Sequence, residues 1–337
     1  MSDTSELAVE LRDATPPWLL SHLREWISGA GDKGHAYLVV SEDANEACLF
    51  VGQLAMRQLC HDPQDGLACG QCHSCKAFLQ GTHGDLLLLQ VPDGKTAIGI
   101  DQVREATHFL QQTALYGAAK LLLVRDADQM TLAAANSLLK TLEEPAGSAL
   151  VLLSSAEAWR LPPTVRSRCQ LLRLPRSEKD AALEWLGSHV GGSAADAEHL
   201  LDMAQGRAVS ARLMADSESL AAKEALVASF PVLSEQQAGP PASWSGVDLS
   251  VLLSELLVWV GQVRGVDKDR FCRQAQSWLL LHRCVAELSS RVKGGATPGK
   301  DIVIAELFRL CRSRDHAAFA DIGGRFLSSL GREGAAS

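Results

Sequence analysis

A chain of 337 residues, 47% apolar and 21% charged, has room for two or three domains with real cores. Its formal charge of −8 weighs against broad, non-specific nucleic-acid binding by this chain alone, because a polyanion attracts a net cation. No apolar run approaches a membrane span and the opening MSDTSELAVELRD is acidic rather than basic, so a cytoplasmic location with no membrane partner is expected. Nine cysteines, four of them clustered, do not describe a disulfide framework.

Residues 7–30 read as a helix, with Leu19, Leu20, Leu23, Trp26 and Ile27 on one face and Gly29 and Gly31 breaking the pattern. Ala36 to Val40 is a compact apolar run, the mark of a buried parallel strand. After such a strand a P-loop protein cradles phosphate through glycine backbone and a lysine. Here the residues are Ser41, Glu42, Asp43, Ala44, Asn45, Glu46 and Ala47, with neither glycine nor lysine, and three carboxylates would repel a polyphosphate.

Cys60, Cys69, Cys72 and Cys75 follow at spacings of eight, two and two intervening residues. This lets four thiolates converge on a tetrahedral zinc, with Gly70 easing the turn between two of them. Iron–sulfur ligation and a Cys-x-x-Cys redox pair use similar spacings, and His61, His73 and His83 could substitute as ligands. A structural zinc is the expectation, since four thiolates leave no open position for a substrate.

Residues 85–91 read as the next strand, and a helix from Ile100, with Asp101 as its N-cap, turns Val103, Ala106 and Leu110 inward before Gly117. Leu121 to Val124 is a third strand, ending in Arg125, Asp126, Ala127 and Asp128. TLAAANSLLKTLEEP is a helix whose apolar face holds Leu132, Ala135, Leu138, Leu139 and Leu142, stopped by Pro145 and Gly147. A strand over 149–153 ends in Ser154 and Ser155. Pro162 and Pro163 then lead into Thr164-Val165-Arg166-Ser167-Arg168-Cys169, a last strand over 170–174, and Pro175. Strands alternating with helices predict a doubly wound parallel sheet.

Three short helices are expected at 178–189, 195–205 and 207–215, punctuated by Gly191, Gly192 and Gly206. Residues 234–246 read as a polar loop, followed by helices at 248–263, 270–293 and 301–331 and a disordered GREGAAS tail. Leu249, Leu252, Leu253, Leu256, Leu257 and Val260 form a wide apolar stripe. Two stretches mimic a P-loop. Gly94-Lys95-Thr96 lacks the upstream glycine, and Gly294 to Lys300 follows a helix and ends in Asp301, which reads better as an N-cap.

LLKTLEEP followed by Ser167-Arg168-Cys169 resembles the clamp-loader branch of the AAA+ ATPases, in the bacterial DNA polymerase III system. The resemblance implies that Arg168 reaches into the ATP site of a neighbouring subunit, where a guanidinium stabilises charge developing at the γ-phosphate. Active relatives end the third strand in Asp-Glu and organise magnesium there. Arg125 stands at that aspartate and Asp126 at the glutamate, so the metal role is lost.

The implied architecture is a degenerate α/β AAA+ domain over 1–175 carrying the zinc module at 60–75, a helical lid over 176–216, and an all-α collar over 217–337. The implied function is a non-ATP-binding clamp-loader subunit, a rigid stator that supplies a trans arginine, with structural Zn2+ as its cofactor. Its partners would be the gamma/tau ATPase subunits and the delta subunit in a hetero-oligomeric ring, with the sliding clamp and primed DNA reached through the complex. The isolated chain would catalyse nothing, although the holoenzyme is a DNA-directed DNA polymerase. The alternatives are an autonomous AAA+ ATPase and a zinc-dependent nucleic-acid module. The missing phosphate loop counts against the first. The absence of Lys, Arg and aromatic residues between the cysteines counts against the second.

Overall fold

The apolar runs of the first half pair into one sheet because all but the last, an edge strand with Leu171 half exposed, are buried, and each reaches the next through a helical crossover. The computed structural model describes residues 7, 11, 15–29, 34–116, 119–145, 147–190, 194–215, 219–230, 239–266, 268–293 and 298–312. Its strands are β1 (Ala36–Val40), β2 (Leu86–Leu89), β3 (Leu121–Val124), β4 (Leu150–Ser155) and β5 (Gln170–Arg173). They lie in the order β2-β3-β4-β1-β5, and every pairing is parallel. Val40 sits beside both Ser155 and Arg173, while Val124 sits beside Leu153, so the residues leaving β1, β3 and β4 emerge along one edge. In open parallel sheets that edge is where sites form.

Helices α1 (Pro17–Ser28), α2 (Ala44–Leu59), α3 (His73–Leu79), α4 (Ile100–Leu110), α5 (Leu132–Glu143) and α6 (Pro163–Arg166) surround the sheet segments in sequence. Three more follow: α7 (Lys179–His189), α8 (Ala194–Met203) and α9 (Ala208–Ala215). Leu38, Leu122, Val124, Val151 and Leu153 from the sheet meet Val103, Ala106, Ala135 and Leu138 in a continuous core. The chain divides into two compact units, Met1–Asp216 and Ser217–Ser337, so the three short helices cluster with the sheet.

The described elements of the second unit are all helical: α10 (Ser219–Ser229), α11 (Ala242–Ser245), α12 (Leu249–Val266), α13 (Lys268–Lys293) and α14 (Lys300–Arg312). Its core is built by Trp244, Leu252, Leu253, Leu256, Leu281, Leu288 and Leu307. Among the described residues, no helix is long and apolar enough to cross a membrane.

Several local expectations are corrected. The first helix is not continuous from residue 7: Thr15 and Pro16 are non-helical and α1 begins at Pro17, because a residue preceding proline is pushed out of the α region. Asp101 lies inside the first turn of α4, pairing with Arg104, and Gly99 is the cap residue, its N–H donating to the Gln102 side chain at 3.0 Å. Asp301 likewise falls in the first turn of α14. Leu132 is 67% exposed, because as the first helical residue it precedes the turn that meets the sheet; Ala134 and Thr141 are buried instead. The polar loop at 234–246 hides a core residue. Trp244 is fully buried on α11, its indole N–H donating to Ser229 at 2.9 Å. Gly31, Gly117, Gly191, Gly192, residues 294–297 of the second P-loop mimic and everything after 312 lie outside the described residues.

At the opposite edge of the sheet, Asp85 and Lys120 stand just before β2 and β3 and form a buried ion pair at 3.0 Å. Asp85 also accepts the Leu115 and Tyr116 N–H groups, each at 2.7 Å. Lys120 donates to the Gly84 carbonyl at 2.8 Å and lies 4.4 Å from the centre of the Phe109 ring. Burial pushes the Asp85 carboxyl up, but these N–H donors and the ammonium outweigh it and hold it below its usual value. Removing one member of such a pair strands the other. Asp85→Ala is therefore expected to destabilise the chain by about 3–5 kcal/mol, measured by denaturant unfolding at neutral pH, whereas a loss below about 1 kcal/mol would mean the site tolerates an unpaired ammonium.

Candidate functional site

The β1–α2 connection is a cap made of acids. Asp43 ends the strand-to-helix turn, and its carboxylate accepts the Asn45 N–H at 3.0 Å. A helix N-terminus attracts an anion through its free N–H groups and dipole. At α2 that anion is the protein's own. The same carboxylate accepts from the Ser210 N–H at 3.0 Å and the Ser210 hydroxyl at 2.8 Å, which brings in α9. Asn45 donates to Ser210 Oγ at 3.1 Å and accepts from Arg125 Nη2 at 3.0 Å. Arg125, Asn45, Ser210 and Asp43 thus form one chain of bonds from the end of β3 to α9.

Glu46 is buried one turn into α2, where it accepts from Trp18 Nε1 at 2.6 Å and from the Ser41 hydroxyl at 2.8 Å. Burial raises its carboxyl pKa and the neighbouring Asp43 adds to the rise, against the two hydrogen bonds. Glu42 faces Arg176 at 3.7 Å on the rim. The cleft left among Ser41, Glu42, Asp43, Glu46, Arg176 and Arg207 measures about 60 Å³. Small-molecule pockets run to roughly 300–1,000 Å³.

Among the described residues, no cluster of metal ligands falls at the end of β3. Arg125 is hydrogen-bonded to Asn45, where a magnesium site would need oxygen. Asp126 has a left-handed backbone (φ 52°), its N–H donates to Ser154 Oγ at 3.3 Å, and burial raises its carboxyl pKa. Asp128 accepts from the Ser155 hydroxyl.

Arg168 follows α6, a single turn started by Pro163 and anchored by buried Val165. Ser167 Oγ turns back to the Thr164 carbonyl at 3.1 Å, while Cys169 packs against the sheet core and burial pushes its thiol up to about 12. Arg168 points outward. Its Nε donates to Glu143 Oε1 at 2.7 Å, Nη2 pairs with the same carboxylate, and Nη1 donates to the Thr164 carbonyl at 2.9 Å. The sequence reading missed Glu143. One signal could have found it: a carboxylate at the C-terminal end of α5 opposes the helix dipole and asks for a cation.

The four cysteines converge. Their Sγ atoms all lie within 4.8 Å of one another, with Cys60–Cys69 at 3.5 Å and Cys69–Cys75 at 3.9 Å. Thiolates bound at ~2.3 Å to a tetrahedral zinc stand roughly 3.8 Å apart. The donor set therefore fits that ion. Backbone N–H groups of Cys69, Cys72 and Cys75 donate to Cys60, Cys69 and Cys72 sulfurs at 3.3, 3.3 and 3.4 Å. Gly70 adopts φ +70°, which the turn between Cys69 and Cys72 requires. Burial opposes ionisation of Cys72, but N–H groups of Cys75 and His61 and the neighbouring thiols outweigh it and bring the thiol down to about 6.

The histidines do not join the cysteines. His83 Nδ1 accepts the Asp85 N–H at 3.1 Å and Nε2 meets Ser74 Oγ at 2.8 Å, whose hydroxyl proton goes to the Leu59 carbonyl at 2.6 Å. The proton on His83 is thus assigned to Nε2, and burial lowers its pKa. His73 instead stacks near Tyr116.

Residues 19–178 match the family model described as "DNA polymerase III, delta subunit". A DNA polymerase III subunit delta' from Pseudomonas aeruginosa is 34% identical over 247 residues, covering 72% of this chain and 75% of that protein. The protein of the same name from Escherichia coli K12 is 38% identical over 176 residues, covering 52% and 53%. That from Bacillus subtilis is 39% identical over 120 residues, covering 34% and 36%. The matched stretch thus spans three quarters of the Pseudomonas protein and about half or less of the other two.

The buried Glu46 sets a pH test. Its folded pKa lies above 4.5, so the folded chain holds that proton more tightly than the unfolded one, and stability falls as pH rises from about 4.5 through the elevated value. Glu46→Gln keeps an acceptor for Trp18 and removes the titration. The melting-temperature gap between Glu46→Gln and wild type should move in favour of the variant across that window and then stay constant; a gap independent of pH would assign no such cost to Glu46.

Proposed function

The chain belongs to the DNA polymerase III subunit delta' family, and from that premise we propose that it is a clamp-loader subunit that binds no ATP and serves the ATP of a neighbour. One observation carries the reading: Arg168 is presented at the surface while the chain's own phosphate and magnesium positions are built from carboxylates and a guanidinium. An Asp43 carboxylate on the α2 N-terminus excludes a polyphosphate by charge, and the residual cleft is too small for a nucleotide. Arg168 offers a planar, permanently charged donor of the kind that stabilises a γ-phosphate in transit.

In this reading the chain acts in the cytoplasm, in a hetero-oligomeric ring with gamma/tau ATPase subunits and a delta subunit, and the assembled ring places a sliding clamp on primed DNA. The bonds between Asp43 and Ser210 support a stator role, because they hold α9 against α2 without any nucleotide. The residues 217–337 would supply the ring-forming collar. Its apolar helices are equally suited to packing among themselves, so the collar role comes from the family alone.

A structural Zn2+ would be held by Cys60, Cys69, Cys72 and Cys75. When bound it supplies a fixed tetrahedral cross-link and no open coordination position. The chain contributes the three N–H donors to sulfur and the His83–Ser74 bonds that fasten α3 to the end of α2.

Two outcomes test these assignments. In a reconstituted loader stimulated by clamp and primed DNA, Arg168→Ala should slow ATP turnover by at least several-fold while the complex elutes intact; turnover equal to wild type would sink the trans-arginine role. Metal analysis of the purified chain should find zinc near one per chain, and Cys72→Ser should lose it together with thermal stability. A zinc-free wild-type chain that melts no lower would remove the metal assignment.

A further inference from the structure

Arg168 and Glu143 are 25 residues apart in sequence and bonded in the fold. A guanidinium carries five N–H groups in a rigid fork. Glu143 takes the side of that fork formed by Nε and Nη2, and the Thr164 carbonyl takes one hydrogen of Nη1. The remaining hydrogens on Nη1 and Nη2 form the end of the fork. The Arg168 side chain is 35% exposed, so the group is held but reachable.

Stability is a poor account of this pair. Ion pairs at this level of exposure contribute little to folding, and a carboxylate at the last residue of α5 faces the negative end of the helix dipole. Orientation is a better one. A long side chain free to sample rotamers would have to be ordered at each encounter with a phosphate, whereas a guanidinium already gripped along one side presents the other edge in a fixed direction. Thr164 contributes through its backbone, so no substitution at that position is implicated. Among the described residues, the side chain that sets the direction of the fork at close range is Glu143; the Ser167 hydroxyl stands at 3.5 Å from Nη1.

We propose that Glu143 is the positioning residue for Arg168, clamping the Nε–Nη2 side of its guanidinium so that the end of the fork is aimed at the phosphates of the neighbouring subunit's nucleotide. This rests on the trans-arginine reading above.

The test is steady-state ATP hydrolysis by the reconstituted loader with clamp and primed DNA, comparing Arg168→Ala, Glu143→Ala, Glu143→Gln and the double variant Glu143→Ala/Arg168→Ala. Glu143→Ala is expected to lower kcat about three- to tenfold, less than Arg168→Ala, with KM for ATP within about twofold. Glu143→Gln should recover most of the loss, because its amide oxygen still accepts from Nε and Nη2. Glu143→Ala should cost nothing further when Arg168 is already alanine, and its melting temperature should match wild type. Wild-type turnover in Glu143→Ala beside a slow Arg168→Ala would overturn the positioning role and leave the trans-arginine reading intact. Wild-type turnover in Arg168→Ala would remove the reading itself, and the positioning role with it. An additional loss in the double variant, or no recovery in Glu143→Gln, would also overturn the proposal, since Glu143 would then act elsewhere than on the fork.

Discussion

The first unit depends on where its internal anion sits. Asp43 places a carboxylate on the N-terminus of α2, the position at which a phosphate-binding strand–helix turn leaves its N–H groups free for ligand. Once the helix has its own anion, the rest of the edge follows. Ser210 is drawn in to satisfy the second oxygen, which holds α9 in place. Asn45 turns between Ser210 and Arg125, so the cation at the end of β3 is bonded inward rather than left to solvent. Glu46, one turn on, finds Trp18 and Ser41. This end of the sheet is organised by side chains bonded to one another.

The opposite edge is built on the same logic with different atoms. Ser74, His83 and Asp85 form a bonded series from the cysteine turn to the start of β2, and the Asp85 carboxylate extends it to the Leu115 and Tyr116 N–H groups and directly to Lys120. Each of the buried polar groups in this series has its partner, as a low-dielectric interior demands. The cysteine cluster is therefore fastened to the sheet by bonds that are independent of any metal. A metal there would tighten a turn already pinned at its C-terminal end.

Arg125 and Arg168 show how context sorts two residues of one type. Both are bonded to side chains from elsewhere in the first unit. Arg125 meets a neutral amide at the sheet edge, where it bridges β3 and α2. Arg168 meets a carboxylate on a surface turn, and its side chain stays 35% exposed. The former consolidates the fold, and the latter stays within reach of solvent.

Strands β1 to β4 are legible from sequence because four or five consecutive apolar residues in a parallel α/β chain are buried on both faces, and the bounds read for β1 and β3 match to the residue; β5, an exposed edge strand, lacks that signal. The cysteine cluster was legible too, since two short spacings and one long one restrict where four sulfurs can meet. The missing glycine and lysine after β1 needed no coordinates. Periodicity misread Leu132, which lies on the correct helical face but one turn too early to reach the sheet. Composition misread Trp244, because a polar loop can fold one aromatic into a core while its neighbours stay wet. What only the tertiary structure decided are the long-range polar pairs: Asp43 with Ser210, Asp85 with Lys120, and Glu143 with Arg168. Hydrophobic pattern is a property of neighbours along the chain and can be read from it. A hydrogen bond between distant side chains depends on distances of a few tenths of an ångström, and those are set only after the core has packed.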